Sequence, residues 1–157
     1  QAIFRQGSAE GFGQPASTAM VRKMGGWFGE LTEAPAVPID ENVISAEELQ
    51  QYASGLTRNG FFGPNSWYMN HAANAEYGAR NLETGQLDLP VLFLAGRFDY
   101  VCETVTSDLA EPMRALCSNL TEEIVDSGHW MAQEQPVAVN RALARWLINK
   151  LPTLLQQ

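Results

Sequence analysis

Cysteine is scarce in this sequence, which holds only Cys102 and Cys117. Two thiols cannot make the disulfide framework of a small secreted domain or a four-thiolate zinc site, and nothing near them has zinc-ligand spacing. Both are expected as reduced thiols. Positive charge is sparse too: 10 Lys and Arg stand against 18 Asp and Glu, a net charge of −8. That balance repels phosphate backbones and anionic lipid surfaces, so nucleic acid is excluded as a natural partner. No apolar run approaches the ~18 residues of a membrane span, and no nucleotide or metal signature is present, so no cofactor is expected. The chain opens on "QAIFRQ", with no initiator Met and no signal-like pattern, and is expected to be an inner piece of a longer protein. The missing leader then carries no message about secretion, although cytoplasm is the favoured compartment. The sequon "NLT" at Asn119 reads as a turn rather than a modified site.

What is present is an apolar fraction of 45%, enough for one domain with its own core. Residues 86–157 alternate strand and helix. "LPVLFLAG", opened by Pro90 and closed by Gly96, is the continuous apolar run of a parallel-sheet strand covered on both faces. A helix is expected over about 104–118, with Leu109, Met113 and Leu116 on one face and Pro112 as a kink or second start. "TEEIVD" is a more polar strand that suits an edge. A last helix begins at Pro136 and carries Val139, Leu143, Trp146, Leu147 and Leu151 as its apolar stripe.

Residues 1–85 have no such strand. A helix is expected around 15–31, then a Pro-punctuated loop, "TEAPAVPIDENV". In "SAEELQQYASGLTRNG", Ser45 and Glu48 fit a capping box, Leu49, Tyr52, Ala53 and Leu56 form a buried stripe, and Asn59-Gly60 fits a stop. A further helix starts at Pro64, with Trp67, Tyr68 and His71 in its first two turns. The chain therefore divides near residue 85 into a helical part and an α/β part. Two strands alone make a poor sheet, so the second part reads as the trailing edge of a larger α/β sheet.

The first strand runs directly into "RFDY" and the second into "DSGHW", so Asp99 and His129 both follow strand ends, where open α/β sheets place their sites. If the strands are neighbours, a carboxylate at hydrogen-bond distance fixes the tautomer of the imidazole and stabilises its charged form. The structural alternatives are that Asp99 caps the following helix and that His129 packs against Trp130. Their joint placement at equivalent strand ends favours a functional pair. His71, isolated on an amphipathic helix, reads as a surface or packing residue, and Tyr68 on its context alone as a core aromatic.

"GPNSWYMN" at 63–70, "GRFDYV" at 96–101, "DSGHW" at 126–130 and the closing "QPVAVNRALARWL" together resemble the cap and C-terminal core motifs of soluble epoxide hydrolases of the α/β-hydrolase fold. The resemblance runs from about residue 45 to the C-terminus. It implies an α/β architecture in which residues 1–85 are part of a helical cap and 86–157 the C-terminal part of the core. It implies Asp99 as the charge-relay acid, His129 as the general base, and Tyr68 as one of two cap tyrosines that hydrogen-bond the epoxide oxygen. Val101 and Trp130 would line the pocket. The implied substrate is a small-molecule epoxide, and the implied partner is the missing N-terminal half of the same enzyme.

Two family features are absent. The sequence has no nucleophile Asp on a strand-to-helix turn with its H-G-x-P segment, and Tyr52 and Tyr77 do not sit in the motif of the second cap tyrosine. A chain without its attacking group is expected to be close to inert alone. A haloalkane dehalogenase or Ser esterase would share the acid and His, but the "GPNSWY" motif argues against both, and no G-x-S-x-G occurs. A non-catalytic binding remnant is the alternative from another class.

Overall fold

Both strands fall in the α/β part of the chain. In a computed structural model, which describes residues 1–14, 17–80 and 85–154, the helices α1 (Ser17–Met24), α2 (Ala46–Asn59), α3 (Phe62–Met69) and α4 (His71–Ala79) come first. They are followed by β1 (Val91–Gly96), α5 (Glu111–Leu116), β2 (Leu120–Val125), α6 (Met131–Glu134) and α7 (Pro136–Leu154). The division near residue 85 adjoins residues 81–84, which lie outside the described residues.

β1 and β2 pair in parallel, with Val91 opposite Leu120 and Gly96 opposite Val125. α7 packs on both strands. Its buried face is Val139 and Ala142, with Trp146 half-buried, whereas Leu143 and Leu147 remain exposed. The expected stripe was therefore rotated by part of a turn, and the side chain of Leu151 lies outside the described residues. β1 is half-buried over its first four residues and fully buried only at Ala95 and Gly96. One packed helix layer covers one face of a two-stranded sheet, which explains why a run patterned for burial on both faces is only partly buried.

The helix expected over 104–118 is shorter. Glu103 is buried, and its carboxylate accepts the amides of Val105 and Thr106, each at 2.7 Å. The hydroxyl of Ser107 donates to the Glu103 carbonyl at 2.5 Å. These bonds hold 103–107 as a turn, and α5 starts only at Glu111, with Pro112 in its first turn.

In the helical part, Ser45 and Glu48 form the expected capping box: the Glu48 amide donates to Ser45 Oγ at 3.2 Å, and the Ser45 amide donates back to Glu48 at 2.8 Å. Gly60, at φ 73°, ends α2 and donates to the Leu56 carbonyl. The stripe behind that cap is not buried as expected. Leu49 and Leu56 are half-buried, while Tyr52 and Ala53 are exposed, although the ring of Phe4 reaches that of Tyr52 at 5.7 Å between centroids. The helix read from Pro64 begins earlier, at Phe62, and breaks at Asn70, so His71 opens α4 instead of continuing α3. α1 covers Ser17–Met24 and stops at Gly25 and Gly26, both with positive φ. Asn119 lies at the start of β2, where its side-chain oxygen accepts from Lys150 Nζ at 2.8 Å.

Candidate active site

The strand register extends beyond the last paired residues. The Arg97 amide donates to the Val125 carbonyl at 2.8 Å, and the Phe98 amide to that of Ser127 at 2.9 Å. Two glycines permit this close approach. A Cβ built on Gly96 would lie 2.5 Å from the Gly128 carbonyl oxygen, and one on Gly128 would lie 2.6 Å from Cα of Gly7. Three backbones thus pass in direct contact at the carboxyl end of the sheet, which is what a glycine without Cβ allows.

The consequence is a fixed distance between two side chains. His129 Nδ1 stands 3.0 Å from Asp99 Oδ2, across 30 residues of chain. The other oxygen, Oδ1, accepts the amides of Val101 at 2.7 Å and Cys102 at 2.9 Å. One oxygen of Asp99 therefore braces its own turn, not the cap of a following helix, since α5 starts only at Glu111, while the other oxygen faces the imidazole. A carboxylate can only accept, so the shared proton belongs on Nδ1 and Nε2 is left with a free lone pair. Asp99 is 13% exposed at its side chain and His129 33%, so the acid is sheltered while the imidazole reaches solvent.

Trp130 does pack with His129, edge-on at 5.3 Å between ring centroids. Its indole is held in turn: Nε1 donates to the Ile3 carbonyl at 2.8 Å, and Phe4 stacks on it at 4.4 Å. The Tyr100 hydroxyl donates to the same carbonyl at 3.1 Å. Burial, with the charges of Glu134 and Asp99, pushes the Tyr100 phenol above its ordinary value. Burial and the Asp99 charge push the Cys102 thiol up as well, so it is held protonated beside the pair. Both cysteines are free, Cys102 exposed and Cys117 buried.

Val101 is half-buried next to Asp99, and its carbonyl accepts the Thr18 hydroxyl of α1 at 2.6 Å. Tyr68 is different. It is 69% exposed on α3, and no hydrogen bond or ring contact joins it to Asp99, His129 or any other described residue. The structure thus brings Asp99, His129, Val101 and Trp130 into one neighbourhood and leaves Tyr68 outside their contacts. Sequence reasoning missed Glu134, whose carboxylate bonds the loop that carries His129; the readable signal was an acid in the first turn after "GHW". Among the described residues no group of His, Cys, Asp and Glu could hold a metal ion, and no helix is long and apolar enough to cross a membrane.

No family model matches this chain. Curated relatives do. Over 78% of its length the chain is 35% identical to epoxide hydrolase A of Mycobacterium tuberculosis, and over 83% it is 28% identical to bifunctional epoxide hydrolase 2 of Sus scrofa. Epoxide hydrolase B of Mycobacterium tuberculosis is 32% identical over 64% of the chain. The chain is a relative of the epoxide hydrolases, proteins of the α/β-hydrolase fold. It spans 36% of the length of the first of these epoxide hydrolases, 22% of the second and 28% of the third. The parallel strand pair with its flanking helices is in keeping with a C-terminal piece of that fold.

Proposed function

We propose that the protein to which this chain belongs is an epoxide hydrolase that adds water to a small-molecule epoxide to give a vicinal diol. In this reading residues 1–85 are part of the cap and 86–157 the C-terminal part of the core. The chain contributes Tyr68, Asp99 and His129, with Val101 and Trp130 lining the pocket, and an N-terminal half supplies the attacking carboxylate. The observation that carries the reading is the 3.0 Å approach of His129 Nδ1 to Asp99 at the ends of adjacent parallel strands, in a relative of epoxide hydrolases.

The chemistry runs in two steps. A carboxylate oxygen attacks an epoxide carbon, the ring C–O bond breaks toward oxygen, and the alkoxide takes its proton from the Tyr68 hydroxyl. That hydroxyl has no partner among the described residues, so it is open to a substrate oxygen. A donor placed where negative charge develops is worth about 10²–10³ in rate. The product of this step is a hydroxyalkyl ester. Water then gives a proton to His129 Nε2 and adds to the ester carbonyl. The ester C–O bond breaks, the departing alkoxide takes the proton from the imidazolium, and the carboxylic acid left behind returns its proton to the Tyr68 phenolate. Asp99 stabilises the imidazolium through Nδ1.

In the full-length protein, His129→Gln is expected to take up one epoxide and hold it, seen as a mass gain of one substrate with no turnover. Turnover at the parent rate would reject His129 as the base. Tyr68→Phe is expected to slow ester formation by about 10²–10³, and an unchanged rate would reject its role.

A further inference from the structure

Beside the pair, one carboxylate gathers three backbone amides from two distant parts of the chain. Glu134 Oε2 accepts from Gly128 at 2.7 Å and from Gly7 at 3.0 Å, and Oε1 accepts from Trp130 at 3.2 Å. Gly128 and Trp130 are the residues on either side of His129, so a single side chain holds the Ser127–Gly128 and His129–Trp130 peptide groups that bracket the histidine. We infer that Glu134 is a positioning residue, which fixes the backbone from which His129 projects and thereby the reach of Nδ1 to Asp99. The same carboxylate ties residue 7 to this loop, next to the point where Gly7 and Gly128 pass too closely for a Cβ.

The side-chain chemistry suits that task. A carboxylate has about four lone-pair sites on two oxygens and no hydrogen to repel an amide, so it can accept all three donors at once. Glutamine offers one acceptor oxygen and turns an NH₂ toward at least one N–H. Alanine offers nothing. Glu134 also sits in the first turn of α6, and its bond to the amide of Trp130, the N-cap residue, anchors the loop to a helix start. Its bearing on catalysis rests on the reading of His129 as the base, but the hold on the imidazole does not.

The test is the imidazole nitrogen spectrum of the 157-residue chain, in which His71, exposed at the start of α4, is an internal reference for a free ring. In the parent, His129 is expected almost wholly as the Nδ1–H tautomer with slow exchange of that proton. In Glu134→Ala, exchange of the same proton should speed up by about ten-fold or more, and the tautomer mixture should approach that of His71. Glu134→Gln should fall between the two. Glu103→Gln, which disturbs another carboxylate bonded to two amides, is the control and should leave His129 unchanged. A His129 signal in Glu134→Ala identical to the parent overturns the role of Glu134 and leaves the Asp99 pair standing. Equal shifts in the Glu103→Gln and Glu134→Gln variants, with tertiary methyl signals lost in both, overturn it as mere loss of fold. A parent chain whose His129 behaves like His71 overturns both the positioning and the pair.

Discussion

Gly96→Ala puts the packing account at risk with one methyl group. Gly96 has no positive φ, so alanine meets no backbone strain and any effect must come from contact. Its Cβ would stand 2.5 Å from the Gly128 carbonyl oxygen and 3.0 Å from that of Ser127, whereas ordinary contact begins at 3.4 Å. Both neighbours are backbone atoms and cannot rotate away. The 127–128 segment must therefore retreat by about 0.9 Å. If His129 moves with it, the 3.0 Å bond to Asp99 opens to about 3.9 Å, beyond hydrogen-bond range. Overpacking of this kind costs about 1–3 kcal/mol, and each kcal/mol lowers the midpoint of a chain this size by about 2–4 °C. Thermal unfolding followed by circular dichroism reads the first effect, and the imidazole spectrum reads the second. An alanine variant that melts with the parent and keeps the Nδ1–H tautomer would refute the claim that backbone contact at Gly96 sets the geometry of the pair.

Three further outcomes follow from other parts of the molecule. Burial pushes the Glu103 carboxyl up, but the Thr106 and Val105 amides and neighbouring hydroxyls outweigh it, so it lies below the ordinary 4.5. Its contribution to stability is then present above the unfolded value and is lost as pH falls through the folded one. Urea midpoints should thus fall more steeply for the parent than for Glu103→Gln as pH drops below about 4.5, and parallel curves would contradict this. Ser45→Ala removes the acceptor of the Glu48 amide and should cost about 0.5–2 kcal/mol of local helix stability, measured as faster hydrogen exchange at Glu48; unchanged exchange would contradict the cap. Phe62, Trp67 and Met69 are 87%, 76% and 80% exposed on α3, so the chain alone should bind a hydrophobic dye or self-associate. A dye-silent monomer would contradict the exposure of these side chains.

The sequence revealed most where a local pattern and a local cause coincide. "LPVLFLAG" forms β1 because an uninterrupted apolar run between Pro90 and Gly96 has few other uses, and Ser45 with Glu48 starts α2 because the cap needs only residues three apart. Asp99 and His129 were legible as a pair because each follows a strand, and parallel neighbours bring equivalent ends together. What failed was decided by distant atoms. The stripe of α2 is open at Tyr52 because burial depends on what packs across it, and the helix expected from 104 yields to the Glu103 turn, whose buried carboxylate competes for the amides a helix would use. The clasp of Ile3, Phe4 and Gly7 on Trp130 and Glu134 joins residues over 120 positions apart, with no periodicity to announce it. Tyr68 was picked out by motif alone, and its exposed position on α3 has no counterpart in local pattern.

The double-mutant cycle on ester hydrolysis in the full-length protein, with Asp99→Asn, His129→Gln and both together, tests most directly whether the two side chains act as one unit. If Asp99 works only through the imidazole, the double variant should lose no more rate than His129→Gln alone, because nothing remains for the acid to hold. Losses that multiply would show two independent contributions and contradict the account.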